Sequence, residues 1–340
     1  MKVLIAGGAG FIGSTIASAC LDDGIVPVVL DNLSTGRVEF TRDRIFYQGD
    51  IADGQLIDRI FAEHPDIEAI VHAAALIVVP ESVAQPLRYY RENVAKSLDF
   101  IEHVVRNGCH RYLFSSSAAI YRPGDDFSVD ETSPVEPTSP YARTKAVMEW
   151  VMEDAAAATP LRALSLRYFN PIGADPALRT GLQLRNPSHL LGKLLTAAES
   201  GEEFAITGAD WPTRDGSGIR DYIHVWDLAR AHVQALRRFD AILPEDGARS
   251  YEVINLGTGN GTTVREFVTA FQSLSDRPVR VTEHPRRPGD SAGSYTRSSR
   301  SRELLDWTPE LTVEEGIRHS LQWWARRDEV LGADAVGARA

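Results

Sequence analysis

The chain has 340 residues, 43% hydrophobic and 24% charged, an ordinary globular composition with enough apolar material for a real core. Its 47 acidic against 36 basic residues leave a formal charge of −11, which argues against nucleic acid or an anionic membrane surface as the main partner. No apolar run reaches the roughly 18–20 residues of a membrane helix, and Cys20 and Cys109 stand in no metal-binding or redox spacing, so no metal site is expected.

The chain opens MKVLIAGGAG, with no charged leader and no cleavage site after a hydrophobic stretch, from which a cytoplasmic protein is expected. Short apolar runs at residues 3–6, 26–30, 45–47, 67–72, 112–115 and 163–168 read as strands of a parallel sheet covered on both faces. Helical patterns at 11–23, 54–62, 86–107 and 141–156 alternate with them. Strand–helix alternation with right-handed crossovers predicts an α/β fold, a doubly wound, Rossmann-type parallel sheet. Residues 171–188 read as loop, 190–200 as helix, 203–206 as strand, 208–218 as a turn region, 225–239 as helix and 252–256 as strand. A smaller mixed α/β region ends in a helix near 313–324. The expected division is a nucleotide-binding domain over 1–175, with about 222–256 contributing, a substrate domain over 176–327, and a frayed tail over 328–340.

Gly7, Gly10 and Gly13 stand in GGAGFIG, directly after the first strand and opening the first helix. Gly7 permits the tight bend, Gly10 lets the backbone approach a pyrophosphate, Gly13 allows close helix packing, and the helix start turns free N–H groups toward phosphate. Asp31 ends the second strand, where an acid takes the hydroxyls of the adenine ribose and repels a 2′-phosphate, so NAD is expected rather than NADP. Asp50 and Ile51, after the third strand, are placed to bracket the adenine. Tyr141 and Lys145 lie four residues apart in SPYARTK and therefore on one helical face. An ammonium and a cationic nicotinamide beside Tyr141 would lower its pKa from about 10 and make it a usable acid/base. The serines of FSSSAAIY emerge at the carboxyl end of the fifth strand, and Ser117 is expected to orient the substrate oxygen.

These residues, with DNLSTG, ESVAQPLRYYRENV, LRYFNPIGADP, DGSGIRDYIHVWDLARAH and INLGTG, resemble the extended short-chain dehydrogenase/reductase superfamily from Met1 to about Trp324. Within it the chain is most similar to the UDP-galactose (UDP-glucose) 4-epimerase family. The resemblance implies NAD-dependent inversion at C4 of a UDP-hexose through a 4-keto intermediate. It implies that Asn93 and Lys145 contact the nicotinamide ribose, that Tyr168 lies beside the nicotinamide, and that Asn170 and Arg220 hold the substrate diphosphate. Phe11, Ile12, Asn32, Ala73, Ala74, Ala75 and Ser115 complete the candidate cofactor contacts; His189 and Leu190 join the candidate substrate contacts. In RRPGDSAGSY the family pattern turns Arg287 and Asp290 toward the nucleotide and makes Ser294 the guard of the sugar's 2-position. A small residue there leaves room for a 2-acetamido group, so UDP-GlcNAc and UDP-GalNAc are further candidate substrates. The resemblance also implies a homodimer through the helices at 86–107 and 141–156, whose Val147, Trp150 and Val151 read equally as core.

Four positions depart from the family pattern: Ile77 for a lysine, Pro80 for a glycine, Arg122 for a glycine after Tyr121, and His189 for an asparagine. Ala118 and Ala119 stand where sugar 4,6-dehydratases carry an Asp–Glu pair, which argues against elimination. Another nucleotide-sugar epimerase, or a dehydrogenase or reductase built on the same residues, stays open at this point. A non-catalytic dinucleotide-binding regulator is disfavoured, since both Tyr141 and Lys145 are present.

Overall fold

A computed structural model describes residues 1–286 and 291–332. In chain order the elements are β1 (Lys2–Ala6), α1 (Phe11–Asp22), β2 (Val26–Asp31), β3 (Ile45–Gln48), α2 (Gly54–Glu63), β4 (Ile67–His72), α3 (Val79–Ala84) and α4 (Pro86–Tyr90). A π-helical turn at Arg91–Ala95 leads into α5 (Lys96–Arg106), β5 (Arg111–Ser117), β6 (Ser128–Val129), α6 (Pro140–Ala158), β7 (Arg162–Tyr168) and β8 (Asn170–Ile172). The remainder comprises α7 (Leu190–Ser200), β9 (Glu203–Thr207), β10 (Ile219–His224), α8 (Val225–Arg237), α9 (Phe239–Ile242), β11 (Tyr251–Leu256), β12 (Gly261–Thr263), α10 (Val264–Leu274), β13 (Arg280–His284), β14 (Tyr295–Thr296), α11 (Arg300–Leu305) and α12 (Val313–Leu331).

Among the described residues the main sheet has seven strands in the order β11-β7-β5-β4-β1-β2-β3, every pair parallel. Its strands are apolar on both faces because helices cover both. Ile5, Val29 and Leu113 face α1 and α8 on one side, while Leu4, Leu30 and Tyr112 face α2, α5 and α6 on the other. This is the Rossmann-type doubly wound sheet. The strand order reverses between β1 and β4, and in such a sheet the crevice at the carboxyl ends beside that point takes the ligand. The glycine turn after β1 sits there.

A second core lies outside the sheet, where Leu194, Phe204, Tyr222, Phe267, Phe271 and Ile317 pack together. Helix α12 opens on a capping box of Thr312 and Glu315. It then lays Trp323 against Phe40, with ring centroids 5.7 Å apart, so this helix closes over the segment after Asp31. Two expectations change. The helix expected over 86–107 is split by the π-helical turn that carries Asn93. The stretch from 328, expected to be frayed, is helical over residues 328–331, which still belong to α12, and Leu331 is buried in one cluster with Phe40 and Trp323. Residues 333–340 lie outside the described residues. No described helix is long and apolar enough to cross a membrane.

Candidate active site

The chain leaves β1 through Gly7, at φ +79°, whose N–H is held by Leu30 O at 2.8 Å. A Cβ on Gly13 would fall 2.2 Å from Gly7 O, so turn and helix can touch only without side chains there. Gly10 is the N-cap of α1, and no side chain caps the first-turn N–H groups. They stay open toward the crevice with the positive end of the helix dipole, beside half-buried Phe11 and Ile12. Asp31 accepts from Ala9 N at 2.9 Å and Leu33 N at 2.8 Å, tying the end of β2 to the glycine turn; burial pushes its carboxyl above the usual range. The backbone of Ala73 and Ala74 faces Gly7, where an added Cβ would fall 2.6 Å from Ala74 N, with Ala73 N on Ala6 O at 2.8 Å and Ala75 following in the same loop. Asp50 is held by Lys96 at 2.7 Å and by Asn32 at 3.2 Å, beside buried Ile51. A side-chain-free cradle, uncapped helix N–H groups and a ribose-side carboxylate fit NAD.

Helix α6 starts at Ser139, whose hydroxyl accepts from Ala142 N at 3.1 Å, with Pro140 in the first turn. That start aims Tyr141 and Lys145 at the end of β5. Lys145 is 5% exposed; its Nζ donates to Ser115 O at 2.7 Å and lies 4.9 Å over the Phe114 ring. Burial lowers its pKa to about 8, against the opposing charge of Glu149. Burial raises the Tyr141 phenol above 10, the Ser117 hydroxyl opposes the rise, and the Lys145 ammonium is engaged on Ser115 O. Ser117 Oγ accepts from Ala119 N at 3.2 Å, which leaves its proton for the phenol or a substrate oxygen. Ser115 Oγ is buried without a partner of hydrogen-bonding geometry, yet close enough to half-buried Tyr168 to oppose the burial-driven rise of that phenol's pKa.

The remaining candidates divide. Both ends of the Asn93 amide are engaged, the oxygen accepting from Leu76 N at 2.8 Å and the nitrogen donating to Leu76 O and Thr144 Oγ1. It therefore staples the loop after β4 to α6. Asn170 donates to Asp221 O at 3.3 Å. His189 is the N-cap of α7, with Nδ1 accepting from Gly192 N at 3.2 Å and Leu190 opening the helix. Arg220 donates to Ala292 O and Ser291 O, so it grips the segment before half-buried Ser294. Arg287 and Asp290 lie outside the described residues. Cys20 and Cys109 are free and buried, and burial lifts both thiols to about 12.

Sequence reasoning missed a buried polar chain behind the site. Glu149 and Arg167 form an ion pair, 5% and 6% exposed. Ser116 Oγ also donates to Glu149, Arg167 Nη1 donates to Tyr121 O–H at 2.7 Å, and Tyr121 O–H donates to Asn255 Oδ1 at 2.7 Å. Its signal was present: Glu149 stands four residues after Lys145, on the same helical face. Asp221, fully buried, accepts from Thr258 N at 2.8 Å, Gly259 N at 3.1 Å and Thr296 N at 3.2 Å. Nothing in its sequence surroundings marks it as a hub.

The model of the NAD dependent epimerase/dehydratase family matches residues 3–257. A UDP-glucose 4-epimerase of Azospirillum brasilense is 41% identical, over 100% of this chain and 97% of that protein. The solved UDP-glucose-4-epimerase from Stenotrophomonas maltophila, with bound NAD and formylated UDP-arabinopyranose, superposes with a TM-score of 0.91 at 34% identity, over 97% of this chain and 99% of that one. The UDP-Glc/GlcNAc 4-epimerase from Campylobacter jejuni superposes with a TM-score of 0.80 at 35% identity, over 96% and 99% of the two chains.

Proposed function

The chain belongs to the NAD dependent epimerase/dehydratase family, and from that premise we propose that it inverts the 4-hydroxyl of a UDP-hexose, interconverting UDP-glucose and UDP-galactose. The observation that carries this reading is the meeting of Tyr141, Lys145 and Ser117 at the carboxyl end of β5, beside the glycine turn after β1. The UDP-glucose 4-epimerases it resembles over nearly their whole length support it.

Bound NAD would supply the acceptor, and later the donor, of the hydride at C4, together with a positive ring charge beside the phenol. It would be held by Gly7, Gly10 and Gly13 at the diphosphate, Asp31 at the adenine ribose, and Lys145 with Tyr168 near the nicotinamide. Tyr141 takes the proton of the sugar's 4-hydroxyl as C4 is oxidised and returns it when the 4-keto sugar is reduced from its other face. Ser117 orients the 4-oxygen through the proton its own geometry leaves available. Lys145, held on Ser115 O, keeps a positive charge near the phenol. Asn170 and Arg220 grip the diphosphate, so the keto sugar turns over without leaving.

In this reading residues 1–175 with about 222–256 form the cofactor domain and 176–327 the substrate domain. The protein is cytoplasmic and works as a homodimer. Ser294 leaves space at the sugar's 2-position, so UDP-GlcNAc and UDP-GalNAc are turned over as well; the structural neighbour that acts on both UDP-Glc and UDP-GlcNAc supports this. Purified protein given UDP-glucose or UDP-GlcNAc with no added NAD should yield the 4-epimer of each. Ser294→Tyr should abolish only the acetamido reaction. A stoichiometric demand for free NAD would favour a dehydrogenase instead, and undiminished acetamido turnover in the variant would rule out Ser294 as the gate.

A further inference from the structure

Residues 291–296 wrap tightly across the start of β10. Ile219 N donates to Ala292 O at 2.7 Å, and Arg220 Nη1 donates to the same carbonyl at 2.5 Å and to Ile219 O at 2.7 Å. Arg220 Nη2 reaches Ser291 O at 3.3 Å. Beyond this grip, Tyr295 N donates to Phe127 O at 3.0 Å and Thr296 N to Asp221 Oδ2 at 3.2 Å. The neighbouring residues Arg220 and Asp221 thus hold this strap at both ends, with Ser294 between them.

Gly293 lies at the crossing, at φ +110°. A Cβ built there would stand 1.8 Å from Arg220 Nη1 and 1.9 Å from Ile219 O. The guanidinium is the end of a flexible side chain and can swing. The Ile219 carbonyl is main chain, and the neighbouring Ile219 N–H is bonded to the strap itself, so it cannot retreat without breaking that hydrogen bond. Residue 293 therefore decides whether the strap can lie flat on the arginine.

We propose that Gly293 is a positioning residue for substrate: by letting the strap rest on Arg220, it makes the aim of that guanidinium at the diphosphate and the placement of Ser294 beside the sugar a single, coupled geometry. This rests on the reading of Arg220 and Ser294 as substrate contacts. Two carbonyls of the strap orient the guanidinium fork, and the fork in turn keeps the strap down. A purely local gate would let either part change without the other.

Calorimetric titration with UDP and with UDP-GlcNAc separates these cases. Gly293→Ala should keep its circular dichroism and bind UDP at least about tenfold more weakly, because the orienting hydrogen bonds of Arg220 are lost. Arg220→Lys keeps the charge and loses the fork. It should weaken UDP binding and also shift the ratio of the two dissociation constants at least about threefold in favour of UDP-GlcNAc, as the unanchored strap opens beside the sugar. Wild-type protein that binds no UDP would overturn the UDP-sugar reading, and this proposal with it. With wild-type binding intact, the coupling alone is overturned by either of two results: a folded Gly293→Ala variant that binds UDP within about twofold of wild type, or an Arg220→Lys variant that loses affinity for both ligands by the same factor. Should Gly293→Ala fail to fold, the ratio measured on Arg220→Lys decides the matter.

Discussion

Lys145 combines deep burial with a single hydrogen bond to Ser115 O, and its pKa of about 8 lies close to working pH. In the proposed reaction the ammonium is the charge held near the phenol once cofactor and substrate are bound, and it is lost as pH rises through 8, so kcat should fall on the alkaline side of pH 8. Glu149 opposes this loss. Glu149→Gln should move the alkaline limb of the pH–rate profile down by about one unit. It should also destabilise the fold by about 3–5 kcal/mol, because Arg167 is left buried and unpaired. An alkaline limb that stays in place would show that Glu149 acts only on the fold. Tyr141→Phe removes the proton acceptor while keeping the ring, and kcat should drop by about 10²–10⁴ with UDP affinity unchanged. Comparable epimerisation by that variant would transfer the acid/base role elsewhere. The positions of Tyr141, Lys145 and Ser117 were legible from spacing alone, because four residues on a helix and the end of a strand are local geometry. The rise of the Tyr141 pKa was not, since desolvation depends on what the fold stacks around the phenol.

The helical region between β4 and β5 shows what periodicity can and cannot report. Residues 86–107 carry one continuous apolar rhythm, yet the structure inserts a π-helical turn at Arg91–Ala95. The wider turn presents Asn93 to Leu76 and Thr144, partners that lie 17 and 51 residues away in sequence. Nearby on the surface, Val83 is 64% exposed, Leu87 68% and Trp150 55%, from α3, α4 and α6. These exposed apolar side chains lie on the helices through which the proposed dimer would form. Val151 instead packs inward and Val147 is half-buried, so Trp150 is the best probe of the expected dimer. Wild-type protein should run as a dimer in light scattering and Trp150→Glu as a folded monomer; a monomeric wild type would leave this face without the partner proposed for it.

Across the molecule, three histidines are sealed in the interior: His72 against Tyr112, His224 against His319, and His232 against Leu228 O. Burial holds them neutral, with pKa values of about 3, 3 and 4. An unfolded histidine takes up a proton near 6.5. Below that pH the unfolded chain therefore binds more protons than the folded one, and stability falls as pH drops, by up to about 1.4 kcal/mol per pH unit for each histidine. Thermal melts between pH 7 and pH 5 should show a steep loss in Tm, and a flat or rising Tm would contradict this account of the interior.

The sequence by itself determined the parallel sheet, the glycine turn and the Tyr141–Lys145 pair, because each is written in spacings of a few residues: alternating apolar runs, a strand–turn–helix junction, a four-residue helical repeat. Tertiary structure alone decided what meets across long separations. It brought Arg167 to Glu149, Asp221 to the loop after β11 and to β14, α12 over the segment after Asp31, and Gly293 onto Arg220. Such contacts depend on which surfaces the folded core presses together, and no local pattern of side chains encodes that.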